Sequence, residues 1–258
     1  MSDMTNSNTW IKACADELKA SVAFCTRLPL PREAPIAGSV LARASWAFPV
    51  AGLIVGLVGA VVYALAHKLG LPAWPAAALA VAATMLATGC LHEDGLADTA
   101  DGFGGGKTRE QKLDIMRDSR IGAYGVCALV SSLLLRVSIL ASLPNAHLVV
   151  WALIASHAAA RATMPVLMFL LPPARSDGLS FEAGHPPGGS VAAAAVLGLL
   201  VLMLCLHPAR AIMALIFLLV VIALMTWLSM RQIDGQTGDV LGALEQVSEI
   251  VVLLVALG

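Results

Sequence analysis

Three aspartates, Asp94, Asp98 and Asp101, stand close together in the segment LHEDGLADTADGFGGG (91–106). Their spacing of i, i+4 and i+7 places three carboxylates on one face of a helix. Neighbouring like charges repel one another, so a bare row of this kind destabilises a helix. A divalent cation would offset the repulsion, and carboxylate oxygens with retained water suit Mg²⁺, which commonly accompanies phosphate. A solvated acidic loop is the alternative, but the small residues between the aspartates favour a ligand-binding segment.

Basic residues follow directly, in GGGKTREQKLDIMRDSRIGAYG (104–125). Cations beside a metal-binding acidic segment suit the non-bridging oxygens of a nucleoside diphosphate ester. Lys107, Arg117 and Arg120 are the candidates, and the alternative is that they are ordinary cytoplasmic anchors of the neighbouring membrane spans. The glycine run lacks the GxxxxGK[ST] spacing and is therefore not a Walker A loop.

A second acidic element lies near the end of the chain, in GQTGDVLGALEQVSE (235–249). Asp239 and Glu249 share one helical face, and Glu249 lies ten residues into an apolar stretch. An ionised group at that depth is costly unless it faces a partner or a water-filled cavity. Two interpretations stay open for Glu249: an ion pair with Arg136 or Arg161, or a contribution to a metal and substrate cavity. For Asp239 the functional interpretation is favoured.

The composition shows what must position these groups. Of 258 residues, 59% are hydrophobic and 13% are charged, with a mean hydropathy of +0.83. An ordinary soluble domain is about half apolar and about a quarter charged, so we predict an all-α, polytopic helical membrane protein. The net charge of −1 argues against a nucleic-acid partner. Seven spans are expected, at about Ala47–Leu69, Ala73–Leu91, Gly122–Leu143, Leu148–Leu171, Ser190–Leu206, Ala211–Met230 and Val240–Gly258.

The segments between the spans predict one domain over residues 1–258, with the polar segments on one side of the membrane. Residues 1–46 form an interfacial segment in which Thr9–Arg27 is an amphipathic helix, followed by breaks at Pro29, Pro31 and Pro35. Residues 92–121 form the cytoplasmic loop that carries the active site. Of 16 Lys and Arg residues, 12 fall on the N-terminal side, including Arg32, and two on the other. This asymmetry predicts a cytoplasmic N-terminus, an external C-terminus and an active site that faces the cytoplasm.

The two motifs of the acidic region, LHEDGLADTADGFGG and IMRDSRIGAYG, closely resemble the signature of the cobalamin synthase (adenosylcobinamide-GDP ribazoletransferase) family. The likeness extends, in the same order, to FCTRLPLP (24–31), FPVAGLIVG (48–56), Arg161, PARSDGL (173–179) and GQTGDVLGALEQVSE (235–249). It implies a Mg²⁺-dependent enzyme of the bacterial cytoplasmic membrane. Such an enzyme joins α-ribazole or its 5′-phosphate to adenosylcobinamide-GDP and releases GMP. The form of ribazole stays open, as does a homo-oligomeric state.

The resemblance also implies roles for particular residues. Mg²⁺ would be held by Asp94, Asp98 and Asp239. Asp101 would be the base for the attacking ribose hydroxyl, with Asp98 as a second catalytic group. The substrate ligands would be Lys107, Arg117, Arg120, Arg161, Gln236 and Glu249.

Two other function classes remain as alternatives. A transferase of the CDP-alcohol phosphotransferase type also sets aspartates around Asp-Gly, but its Ala-Arg pair is absent because Asp98 follows Ala97. An ion-coupled transporter would use intramembrane carboxylates, but transporters commonly show repeated halves and midplane charges. Here the acidic residues cluster in one loop and at one helix mouth.

Overall fold

The computed structural model describes residues 2–29 and 38–258. Helices run throughout these residues, and no β-strand occurs among them. The predicted breaks at Pro31 and Pro35, and Arg32 of the basic set, lie outside the described residues. The helices are α1 (Ser2–Cys25), α2 (Gly38–Ala44), α3 (Phe48–Lys68), α4 (Ala73–Thr88), α5 (Leu91–Gly105), α6 (Arg109–Ile115), α7 (Ala123–Ser142), α8 (Ala146–Leu170), α9 (Leu179–Ala183), α10 (Gly188–Cys205), α11 (Pro208–Ile233) and α12 (Gly238–Leu257).

The predicted all-α polytopic class is confirmed. Within the described ranges, six helices are long and apolar enough to cross a membrane, and α4 with α5 makes a seventh if this bent pair counts as one span. The pair bends by 89°. Gly89 ends α4 in a left-handed conformation, with φ of 66°, and Cys90 follows with φ of 58°. We expected residues 92–121 to form a loop. Most of them instead form helices α5 and α6, which follow this turn.

Helix α8 lies at the centre of the bundle and packs against α3, α10 and α12. The contact with α3 is made backbone to backbone at two glycines. A Cβ atom on Gly52 would lie 2.2 Å from the His157 carbonyl oxygen, and one on Gly56 would lie 2.6 Å from the Leu153 carbonyl oxygen. Small residues at a membrane helix interface allow such close approach. The contact at Gly52 and Gly56 therefore sets the position of α3 against α8.

The N-terminal helix is longer than the predicted Thr9–Arg27 and becomes more buried along its length. Trp10 is 69% exposed, whereas Val22 and Cys25 are buried. The indole nitrogen of Trp46 donates a hydrogen bond to Glu17, which ties α1 to the start of the first span. The end of α1 is therefore part of the bundle wall, whereas the side chain of Trp10 lies on an exposed part of the helix.

Candidate active site

Helices α5 and α12 meet at a pair of glycines. A Cβ atom on Gly95 would lie 2.8 Å from the Asp239 carbonyl oxygen and 3.2 Å from the Gly242 Cα atom. No other residue leaves room for this approach. Thr237 caps α12, because its hydroxyl accepts a hydrogen bond from the Val240 amide, and Asp239 therefore lies in the first turn. The contact brings Asp94 and Asp98 of α5 beside Asp239; we call these three carboxylates the acidic mouth.

The three carboxylates of the acidic mouth have different surroundings. Asp94 is exposed and has no hydrogen-bond or ion-pair partner in the part of the chain that the structure describes. Asp98 is half-buried and its carboxylate has no hydrogen-bond or ion-pair partner among the described residues. Asp239 accepts a 2.7 Å hydrogen bond from Arg175. Asp98 is thus the mouth carboxylate that is both partly shielded from water and free of a cationic partner.

The carboxylate of Asp101 is hydrogen-bonded to the backbone at the start of α7. Its two carboxylate oxygens accept hydrogen bonds from the Gly122 amide at 2.7 Å and the Gly125 amide at 2.9 Å, where α7 begins. The side chain is buried, and an anion at a helix N-terminus is favourable. Since both oxygens are occupied, the geometry does not support the expected role of Asp101 as base. Asp101 holds α5 on the first turn of α7.

Arg175 was not among the residues predicted for the site. A short parallel bridge positions it: the Ala174 amide donates to the Gln236 carbonyl at 2.8 Å, and the Gln236 amide donates to the Pro172 carbonyl at 2.9 Å. This bridge joins the segment after α8 to the segment before α12, and so sets Arg175 against Asp239. The signal available in the sequence was the position of Arg175 in PARSDGL (173–179), a segment that follows a span and shares in the family resemblance.

Three cavities meet at the acidic mouth. The first, which we call the apolar cavity, has Phe24 and Phe48 in its wall and a volume of about 170 Å³. The second, the basic cavity, contains Arg117 and Arg175 and has a volume of about 250 Å³. The third, the outer cavity, is lined by Asp98 among others and has a volume of about 480 Å³. Asp94 lines the apolar and outer cavities, Asp239 lines the apolar and basic cavities, and Arg117 lines the basic and outer cavities. Each pair of cavities therefore shares a charged residue, so ligands in two of them would approach one another at that residue.

The basic cavity contains two of the predicted substrate ligands together with Arg175. Arg117 donates to both carboxylate oxygens of Asp177, at 2.6 and 2.7 Å. Gln236 is buried and accepts a 2.6 Å hydrogen bond from the Ser180 hydroxyl. Two guanidinium groups within one cavity form a site suited to an anion with several oxygens.

Four other predicted ligands lie elsewhere. Lys107 is exposed and lines none of the three cavities. Arg120 is exposed and paired with Asp118 at 2.6 Å. Arg161 and Glu249 are each 1% exposed and are held inside the bundle. The structure thus brings Arg117 and Gln236 to the mouth but not Lys107, Arg120, Arg161 or Glu249.

Arg161 and Glu249 belong to a buried ion cluster, which we define as Glu93, Arg136, His157, Arg161, Glu245 and Glu249. Arg136 bonds Glu93 at 3.0 Å and Glu249 at 3.2 Å, and Arg161 bonds Glu245 at 2.6 Å. Of the two interpretations of Glu249, the structure therefore has the ion pair. The structure does not support the predicted substrate contacts of Arg161 and Glu249, because their charges are satisfied by ion pairs within the protein.

Within the described residues, His157, Glu245 and Glu249 form a group whose ligand atoms lie within 4.8 Å of one another. The carboxylates of the acidic mouth are spread more widely. However, the guanidinium groups of Arg136 and Arg161 already bond the glutamates of the buried group. A divalent cation there would face two fixed positive charges, whereas Asp94 and Asp98 carry no such partner. The acidic mouth is therefore the better candidate for a metal.

Comparison with known proteins gives a consistent answer over almost the whole chain. Residues 17–257 match the family model described as cobalamin-5-phosphate synthase. The chain is 58% identical, over 93% of its length and 92% of the relative, to an adenosylcobinamide-GDP ribazoletransferase of Bradyrhizobium diazoefficiens. It is 56% identical, over 93% and 92%, to the protein of the same name in Mesorhizobium japonicum. No solved structure matches the chain.

Proposed function

The chain belongs to the cobalamin-5-phosphate synthase family and is an enzyme, and we propose that it transfers ribazole to adenosylcobinamide-GDP with release of GMP. The observation that carries this proposal is the acidic mouth, where two acidic helices meet beside Arg117 and Arg175. An unpaired carboxylate and two guanidinium groups suit the transfer of a phosphoryl group from a diphosphate to a hydroxyl. Because the chain belongs to this family, we no longer consider it a transporter or a CDP-alcohol phosphotransferase.

The reaction we propose is a displacement at the phosphorus that bears the cobinamide. The ribose 3′-hydroxyl of α-ribazole, or of its 5′-phosphate, forms the new P–O bond. The P–O bond to GMP breaks, and GMP leaves with the bonding electrons. Asp98 accepts the hydroxyl proton in place of Asp101, because Asp98 is half-buried and free of a partner among the described residues, whereas both oxygens of Asp101 accept backbone hydrogen bonds.

Mg²⁺ fits the acidic mouth by the chemistry of its donors. Carboxylate oxygens are hard ligands, and Mg²⁺ commonly binds one or two carboxylates with water and substrate phosphates, so closely gathered carboxylates are not required. Asp94 would hold the ion, together with the carboxylate oxygen of Asp239 that does not bond Arg175, next to Asp98. When bound, it would neutralise charge on the diphosphate and on the departing GMP.

Arg117 and Arg175 bind the diphosphate oxygens in this proposal. Replacing Arg117 with Ala should lower kcat/KM for adenosylcobinamide-GDP about tenfold to a hundredfold, since a hydrogen bond to a charged group contributes about 1.5–3 kcal/mol. Steady-state kinetics of GMP release measure this effect. Arg120→Ala is the matched control, because Arg120 is exposed and lines none of the three cavities. Equal losses in the two variants would contradict the role of Arg117.

The orientation in the membrane follows from the bent pair α4–α5. If this pair did not cross, residues 92–121 with their five Lys and Arg residues would lie on the external side, against the positive-inside tendency. We therefore expect seven crossings of the cytoplasmic membrane, with the acidic mouth on the cytoplasmic side. A reporter enzyme fused after Gly258 should then be active only as an external fusion. A cytoplasmic signal would mean that the bent pair does not cross.

The experiment that tests the function uses the purified protein in detergent with adenosylcobinamide-GDP, α-ribazole and Mg²⁺. GMP should appear in amounts equal to the cobalamin product, and chelation with EDTA should stop both. Replacing α-ribazole with its 5′-phosphate distinguishes the two forms of the substrate. Absence of GMP release with either form would contradict the proposal.

A further inference from the structure

The apolar cavity differs in chemistry from the other two cavities at the acidic mouth. It lies between the end of α1, helices α2 and α9, the start of α3, and the facing parts of α5, α8 and α12. Its apolar wall consists of Phe24, Leu41, Phe48, Met164, Met168 and Leu241. The rings of Phe24 and Phe48 are stacked, with centroids 5.7 Å apart and planes at 15°. Asp94 and Asp239 lie at one side of this cavity.

The size of this cavity limits its ligand to a small group. A volume of about 170 Å³ exceeds the roughly 150 Å³ of an apolar cavity that binds benzene. It is below the roughly 300–1,000 Å³ of pockets for drug-sized molecules. A planar aromatic ring system fits this volume, whereas a corrinoid or a whole nucleotide does not. Phenylalanine and methionine side chains both make favourable contacts with aromatic faces.

His92 also lines this cavity but is held by the protein. It is 1% exposed, and its Nδ1 atom lies 3.3 Å from an Arg161 Nη2 atom. Its Nε2 atom has no hydrogen-bond partner among the described residues and is enclosed by protein atoms. The cavity therefore selects a ligand by its shape and its apolar surface.

We propose that the apolar cavity binds the aromatic base of the ribazole substrate. This inference rests on the proposed function and adds to it the location of one substrate. A benzimidazole has an apolar perimeter and a single free ring nitrogen. Guanine has several donors and acceptors, which this apolar wall would leave unpaired. With the base in the cavity, the ribose lies on the side of Asp94 and Asp239.

Filling the cavity tests its role. Met168→Trp adds volume at a buried wall position, and Met213→Trp makes the same change at a side chain that is 38% exposed on α11. We expect Met168→Trp to raise KM for α-ribazole at least tenfold, with KM for adenosylcobinamide-GDP within twofold of the wild type. Met213→Trp should change neither. If Met168→Trp leaves KM for α-ribazole unchanged while the wild type releases GMP, the cavity assignment is wrong and the proposed function still stands.

Enlarging the cavity gives a second test that does not depend on the folding of the tryptophan variant. Met168→Ala removes volume from the wall, so it should shift the ratio of kcat/KM values toward a ribazole with a larger naphthimidazole base by at least tenfold. An unchanged ratio would overturn the proposal. Absence of GMP release by the wild type would instead contradict the proposed function itself.

Discussion

The Asp98→Asn variant should release GMP about 10²- to 10⁴-fold more slowly than the wild type at saturating substrates. The amide keeps the shape of the side chain but cannot accept the hydroxyl proton, and a general base commonly contributes a rate factor of about this size. In the wild type, kcat/KM should fall as the pH is lowered, because protonation of Asp98 removes the base. The Asp98→Asn variant should lack this decline.

Asp114→Asn is the control for this measurement. Asp114 lies in α6 of the same acidic and basic region, but it is exposed and lines none of the three cavities. Its replacement should leave kcat within about twofold. An Asp98→Asn enzyme with more than a tenth of the wild-type rate would remove Asp98 from the proton transfer.

Gly95→Ala should lower GMP release about a hundredfold without adding or removing any charge. The new methyl group would lie 2.8 Å from the Asp239 carbonyl oxygen and 3.1 Å from the Asp239 Cα atom. Because these are backbone atoms, α5 and α12 must move apart, which separates Asp94 from Asp239. A displacement of about 1 Å in reacting groups can cost about 10²-fold in rate.

The matched variant is Gly105→Ala in the same helix, where the nearest atom to the new methyl group would be the Ile115 Cδ1 atom at an ordinary 3.5 Å. It should retain most of the activity. Both proteins should elute from size-exclusion chromatography in detergent as the wild type does, so that activity reports the site. Near-normal turnover by Gly95→Ala would mean that the close contact between α5 and α12 is not needed.

Local periodicity was enough to predict some of this site. The spacing of Asp94 and Asp98 indicates a common helical face, and the position of Asp239 at the mouth of a span indicates the same side of the membrane. The hydrogen bonds of Asp101 depend on where the first turn of α7 lies in the folded chain, because the amides of Gly122 and Gly125 donate to its two carboxylate oxygens. Periodicity alone assigns Asp101 to the same face and cannot reveal that contact.

Other features depend on contacts that leave no local pattern. Arg175 reaches Asp239 because a backbone bridge joins the segments around Ala174 and Gln236. Hydropathy placed the end of the second span at Leu91, but it could not indicate that the chain bends by 89° there and continues as helix α5. The partners of Arg161 and Glu249 were left open by the sequence, because membrane ion pairs and functional sites both explain such residues.

The buried ion cluster has a consequence for how the protein is made. Arg136 in α7 can pair with Glu93, which precedes it in the chain. Arg161 in α8 forms its carboxylate pair with Glu245, which lies in the last helix. An arginine at the centre of a helix costs about 2.5–3.5 kcal/mol during insertion by the translocon. Nascent α8 therefore carries an unneutralised charge until α12 has been synthesised, and a chain that stops before α12 should be retained by the insertion machinery and degraded.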